Sequence, residues 1–362
     1  MARMRKISIG LLCIGARLSV TPGAGIAAQP PHHAPEGFVD AGGNVRLFYR
    51  IVGTGRDTIV VLHGGPGFTS AYLAADLEPL AARHLVIFYD QRGAGRSTLV
   101  SDSAALDARR FADDLDAIRR HFELGRLTLL GHSWGAAVAA LYATRYPERV
   151  QRLILVGAIP ARETQLTAAF QRLDARRDSA TQQRLGKLRA ARLADPGNAD
   201  ACRAYYAVWF VAAFADSTAL RRSRGDFCAG TAEALSNKID HVDRVTLKSL
   251  GSWDWRLALG AVGAPTLVIH GTSDFMSVES AREWASSVRD GRVLLLDRSG
   301  HFPYLESPDR FFGAVDTFLG GRWPSGAQPV SGKESHRRQR VDFGALHQLR
   351  HRDELVRAMR DR

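Results

Sequence analysis

Residues 127–146 constrain the fold of this 362-residue chain more than any other stretch. The apolar run Leu127-Thr128-Leu129-Leu130 leads into Gly131-His132-Ser133-Trp134-Gly135, and Ala136-Ala137-Val138-Ala139-Ala140-Leu141-Tyr142 follows with the composition of a buried helix. A buried strand, a glycine-flanked turn and a helix in direct succession place the serine hydroxyl at the carboxyl edge of a sheet. The glycines let the two backbones pass close together. The helix N-terminus behind Ser133 sets partial positive charge where an oxyanion would develop. An ordinary turn can carry the same short pattern, so it is the strand-then-helix context that marks Ser133 as a candidate nucleophile.

A serine hydroxyl needs a base to take its proton and an acid to orient that base. Pro265-Thr266-Leu267-Val268-Ile269 reads as a buried strand running into His270-Gly271-Thr272-Ser273-Asp274, which predicts Asp274 on the loop after it. Val293-Leu294-Leu295-Leu296 is the next strand pattern, followed by Asp297-Arg298-Ser299-Gly300-His301-Phe302-Pro303, which predicts His301 at the same sheet edge. Asp297 is a second candidate acid, but four residues before His301 it would have to fold back sharply. His63, His132 and His270 adjoin motif glycines and are expected to support turns.

Thr58-Ile59-Val60-Val61-Leu62 is a further buried strand and ends in His63-Gly64-Gly65-Pro66-Gly67. Acyl transfer needs two backbone N–H groups aimed at the oxyanion with no side chain in the way. Gly65 and Trp134 are placed to supply them. Pro66 has no N–H and is expected to fix the turn, with the Gly65-Pro66 bond a candidate for the cis form.

With Asp90-Gln91-Arg92-Gly93-Ala94-Gly95-Arg96-Ser97, these motifs resemble the proline iminopeptidase (prolyl aminopeptidase) branch of the α/β-hydrolase fold, over about residues 37–318. The resemblance implies a triad of Ser133, Asp274 and His301 and an oxyanion hole from Gly65 and Trp134. It also implies an acyl-enzyme mechanism that requires no cofactor or metal, and release of N-terminal proline or small residues from short peptides. Asp90 and Arg92 read as structural residues holding their loop by charge-assisted hydrogen bonds.

Two positions depart from the branch. Ser277 stands where the acid loop commonly has proline. The cap glutamate of a Trp-x-x-Trp-Glu segment, which would hold a substrate amine, has no counterpart in Tyr205-Tyr206-Ala207-Val208-Trp209-Phe210-Val211-Ala212-Ala213-Phe214-Ala215-Asp216. Glu163 and Glu233 are the cap glutamates left to take that role, and Tyr205 and Trp209, with Tyr206, Phe210 and Phe214, are candidate pocket-lining residues. An esterase or lactonase with the same chemistry therefore stays open. A non-catalytic small-molecule receptor on this fold is a third reading, disfavoured by the complete triad.

Gly37 to Ile51 reads as a hairpin of two short strands, and strands then alternate with helical patterns over 70–82, 111–122 and 135–146, which predicts an α/β fold with a mostly parallel sheet covered on both faces. Alternation stops from about Ala161 to Trp255 and resumes at Pro265. The expected organisation is a signal peptide over 1–28, a first core part over 29–160, a helical cap over 161–256, a second core part over 257–323 and a basic, solvated tail over 324–362. The leader has Arg3, Arg5 and Lys6 before an apolar stretch and small residues through Ala27 and Ala28, and implies a periplasmic or secreted protein. Removing it leaves Cys202 and Cys228, whose pairing suits an oxidising compartment. The formal charge of +12 is scattered along the chain and gathers in the tail, with no nucleic-acid recognition motif. No stretch is long and apolar enough for a stable membrane span after processing. The expected partner is a small-molecule or short-peptide substrate.

Overall fold

Short runs of β-branched residues and leucine, buried on both faces, set the sheet. The computed structural model describes residues 35–330, so the expected leader and residues 331–362 of the tail lie outside the described residues. The strands are β1 Glu36–Asp40, β2 Arg46–Val52, β3 Thr58–Leu62, β4 Leu85–Tyr89, β5 Leu127–His132, β6 Val150–Val156, β7 Thr266–Gly271, β8 Gly291–Leu296 and β9 Gln328–Pro329. They form one sheet in the order β1-β2-β4-β3-β5-β6-β7-β8-β9. From β4 to β8 along this order all neighbours are parallel, while β1 with β2, β2 with β4, and β8 with β9 are antiparallel. The chain leaves β3 toward one side for β4 and returns to its other side for β5. Such a reversal opens a crevice at the carboxyl ends of the two strands, and this is where ligands bind in sheets of this kind.

Helices α1 Ala71–Leu77, α2 Ala108–His121 and α3 Trp134–Arg145 connect the first strands. Between β6 and β7 come α4 Glu163–Ala175, α5 Ser179–Ala194, α6 Ala199–Trp209, α7 Ala232–Asn237, α8 Asp243–Ser249 and α9 Arg256–Leu259, a helical insertion that forms the cap. Helices α10 Val278–Ser287, α11 Pro303–Glu306 and α12 Pro308–Leu319 complete the core. The ladder between β6 and β7 runs without a break from Leu153 opposite Thr266 to Val156 opposite Ile269, so the insertion does not disturb the sheet.

The helix after Ser133 is apolar all round because it is covered all round. Every residue from Trp134 to Ala140 is buried. Its alanines permit close approach, and two positions permit nothing larger than hydrogen: a Cβ on Gly135 would overlap the Leu62 carbonyl, and one on Gly131 would overlap the Gly135 carbonyl. Helix α2 packs beside it on Phe111, Leu115 and Ile118, with Asp107 capping its N-terminus by accepting from the Arg109 amide. Asp114 of α2 is buried and receives Arg92 in a two-pronged pair, Nε at 2.7 Å and Nη2 at 2.5 Å. Asp90 accepts from the Ser70 amide and hydroxyl, both at 2.8 Å, and from the Arg96 amide at 2.9 Å. The motif loop is thus tied to α1 and α2 by its two charged residues.

Two local expectations change. The helix expected over 70–82 is α-helical only to Leu77 and continues as a 3-10 turn, Glu78–Ala82, with Pro79 inside it. The four-residue α11 has no periodicity to betray it. Residues expected to begin the solvated tail instead return to the sheet, where Gln328 and Pro329 pair with Val293 and Arg292, and Trp323 lies under the Arg292 guanidinium. A disulfide joins Cys202 of α6 to Cys228 in the loop before α7.

Candidate active site

Ser133 follows β5 directly and caps the N-terminus of α3 with φ 56° and ψ −116°. A non-glycine residue in that region is strained, and the surrounding bonds must hold it. Its amide donates to the Val156 carbonyl at 2.9 Å. It remains partly exposed between the buried His132 and Trp134. The amide of Trp134, first residue of α3, has no acceptor within the helix.

The loop after β3 lies beside it. A Cβ added to Gly64 would fall 3.2 Å from the Ser133 Cβ, and the next residue, Gly65, has φ 126° and a cis bond to Pro66. Gln91 organises this region: its amide donates to His63 Nε2 at 2.9 Å, and its side-chain NH2 donates to the His63 carbonyl at 2.7 Å. Its side-chain carbonyl accepts from the Trp134 indole at 2.9 Å. The expected oxyanion-hole residues, Gly65 and Trp134, therefore sit on two segments held by one glutamine.

Asp274 and His301 lie on the loops after β7 and β8. His301 Nδ1 is 3.0 Å from both carboxylate oxygens of Asp274, and Asp274 Oδ1 also accepts from the Met276 amide at 3.0 Å. Burial opposes ionisation of Asp274, but His301, His270 and the Met276 amide outweigh it and hold the carboxyl below its usual range. With Nδ1–H donating to a carboxylate, Nε2 of the neutral ring is left as the proton acceptor. Asp297, the second candidate acid, is exposed, and Ser277 caps α10 by accepting from the Ser280 amide at 3.1 Å.

A buried hydrogen-bond chain joins these parts. The Gly64 amide donates to the Tyr72 hydroxyl at 2.6 Å, and the Tyr72 hydroxyl donates to His132 Nδ1 at 2.7 Å. His132 Nε2–H then donates to the His301 carbonyl at 2.9 Å. Only one tautomer of a neutral His132 satisfies both contacts. Burial, then the neighbouring His301, pushes the His132 pKa down to about 3. His63 and His270 are likewise lowered, chiefly by burial. These are the histidines expected to support turns.

The cap residues divide. Tyr206 and Phe210 are buried and stack on one another, with ring centroids 5.4 Å apart, and both pack on Phe68 of the Gly65 loop. Trp209 meets Phe275, which lies against His301. Tyr205 is half-buried beside Tyr206, and Phe214 stacks on Phe302. Glu163 begins α4 at the foot of the cap, partly exposed, while Glu233 is exposed in the first turn of α7. Sequence reasoning did not single out Tyr72, Arg192, Lys238 or Glu306. Gln91 sat in a recognised motif without a role.

A family profile described as alpha/beta hydrolase fold matches residues 57–308. The proline iminopeptidase of Heyndrickxia coagulans is 26% identical over 290 residues, covering 78% of this chain and 98% of that protein. The crystal structure of proline iminopeptidase from Mycobacterium smegmatis is 25% identical with a TM-score of 0.60, covering 79% of this chain and 98% of the other. The crystal structure of VinJ is 26% identical with a TM-score of 0.61, covering 81% and 99%.

The buried histidines give the site a pH signature. His132, with its pKa near 3, stays neutral in the folded protein, whereas in the unfolded chain it takes a proton near pH ~6.5. Its stabilising effect is complete above that value and is lost progressively as pH falls toward 3. Between pH ~7.5 and ~5.5 the unfolding free energy should drop by about 1.4 kcal/mol for His132 alone, with His63 and His270 adding in the same direction. Urea titrations at the two pH values measure this, and an unchanged stability would contradict neutral burial.

Proposed function

Because the chain belongs to the α/β-hydrolase fold family, in its proline-iminopeptidase branch, we propose that it is a serine hydrolase that works through an acyl-enzyme on Ser133. The observation that carries this reading is the Asp274–His301 pair, set at the same sheet edge as a serine held at positive φ. The Ser133 hydroxyl attacks the substrate carbonyl while His301 Nε2 takes its proton. Asp274 stays ionised and stabilises the imidazolium. The carbonyl oxygen becomes an oxyanion and takes the Gly65 and Trp134 amides. His301 returns the proton to the leaving group as the carbonyl re-forms. A water molecule, deprotonated by His301, then attacks the acyl-enzyme, and the acid product leaves with Ser133 reprotonated.

Ser133→Ala should lower kcat/KM by about four orders of magnitude or more, with the far-ultraviolet spectrum unchanged. It should also abolish labelling by a fluorophosphonate probe. Near-normal turnover in the variant would sink the mechanism.

Release of N-terminal proline, the activity named for the bacterial relatives, uses this chemistry and needs a carboxylate for the substrate amine. The described cap offers little: Glu233 is exposed, and Asp243 is engaged by Lys238 at 2.5 Å. That distribution favours a second reading, hydrolysis of esters or amides with no free-amine requirement. A buried charged hydrogen bond is worth about 1.5–3 kcal/mol, or one to two decades of preference. The ratio of kcat/KM for prolyl-arylamide over N-acetylprolyl-arylamide should therefore stay below about tenfold. A preference of several decades, lost in Glu163→Gln, would instead establish the aminopeptidase.

We further propose that the protein acts outside the cytoplasm, a reading supported by the leader composition and the Cys202–Cys228 bridge. Expressed with its full N-terminus in a bacterial host, the periplasmic form should begin after Ala27 or Ala28 and contain no titratable thiol under denaturing, non-reducing conditions. A cytoplasmic product with an intact leader would refute this.

A further inference from the structure

The cap holds two buried cations that the acyl-transfer chemistry does not use. Arg192, in the last turn of α5, is 8% exposed, and its Nε is buried without a hydrogen-bond partner. Its guanidinium lies 4.8 Å from the ring centroid of Tyr206 and 5.3 Å from that of Tyr205. Among the described residues no carboxylate comes within ion-pair distance of it. A buried guanidinium without a counter-charge is costly, and its planar fork of donors matches a carboxylate.

Lys238 begins a π-helical turn, Lys238–Val242, and is 3% exposed. Its ammonium lies 3.4 Å from the Pro66 carbonyl and 4.4 Å from the ring centroid of Phe68, so it rests on the loop that carries Gly65. Asp243 pairs with it at 2.5 Å. Burial works against the Lys238 charge, but Asp243 and the nearby Tyr206 phenol keep its pKa above the ordinary value, while Arg192 is near enough to oppose it. Tyr206 thus has both cations as neighbours, and the one carboxylate paired there, Asp243, is engaged by Lys238. Ring contacts link this point to His301: Tyr206 stacks on Phe210, Phe210 meets Phe302, and Phe302 meets His301 at 5.3 Å between centroids.

We propose that Arg192, assisted by Lys238 and the Tyr206 hydroxyl, forms an anion subsite in the cap, and that the substrate cleaved at Ser133 carries a carboxylate remote from its scissile carbonyl. The proposal rests on the serine-hydrolase reading and names its substrate class. The carboxylate gives the unpartnered Nε of the guanidinium an acceptor, as a charge-assisted hydrogen bond. The site therefore selects for negative charge where iminopeptidases select for an amine.

The experiment uses the purified full chain and pairs of chromogenic esters: the p-nitrophenyl monoesters of adipic and suberic acid against the same compounds with the distal acid methylated. The free-acid member should have the higher kcat/KM by about tenfold or more, mostly through KM, with the advantage shrinking as salt is raised. Arg192→Met should bring the ratio close to one, and Arg192→Lys should retain part of it. Without any variant, free adipate should slow fluorophosphonate labelling of Ser133 more than adipamide does. Failure of the probe to label Ser133 would remove the hydrolase reading itself. Normal labelling with equal rates for acid and methyl ester, equal protection by adipate and adipamide, or a ratio untouched in Arg192→Met would overturn the anion subsite alone.

Discussion

The hydrogen-bond chain from Gly64 through Tyr72 and His132 to the His301 carbonyl is the interaction on which the site depends. It joins the loop after β3, helix α1, the end of β5 and the loop after β8, and all of its donors point the same way. A donor must be a donor at each step, so the chain admits one protonation state of His132, and burial enforces that state. Reversing any link would leave a buried polar group without a partner at a cost of about 1–3 kcal/mol. The geometry of Ser133, the Gly65 loop and His301 is consequently one coupled arrangement.

The cap takes part in the same arrangement. The His301 amide donates to the Ala213 carbonyl at 2.8 Å, and Glu306 accepts from Ala215, Asp216 and Gly300 amides at 2.7, 3.1 and 2.6 Å. On the acid side, Arg172 Nε donates to the Phe275 carbonyl at 2.9 Å and Arg176 Nη2 to the Asp274 carbonyl at 3.1 Å. The loops bearing Asp274 and His301 are therefore both bonded to the insertion above them.

Much of the core was legible because its constraints are local. The strands at Thr58, Leu127 and Thr266 announce themselves by continuous apolar runs, and Gly131 and Gly135 by a close approach that only glycine permits. Ser277, standing where the branch commonly has proline, caps α10. What escaped is non-local. Tyr72 and His132 are 60 residues apart, and nothing in the segment around Tyr72 signals a partner. Arg192 reads in sequence as one arginine among many on an exposed helix, and only packing against Tyr205 and Tyr206 sets it apart. Of the five aromatic residues that cap residues 205–216 offer, Tyr206 and Phe210 are the ones that pack against Phe68.

The unbroken ladder between β6 and β7 has a consequence for the fold's capacity to vary. An insertion that enters and leaves between two already paired strands can be exchanged without re-registering the sheet, so evolution and protein engineers can both treat it as a module. The graft is not unconditional. A replacement cap must present a carbonyl to the His301 amide and donors to the carbonyls of Asp274 and Phe275, or the recipient would inherit a sound sheet with Asp274 and His301 out of line.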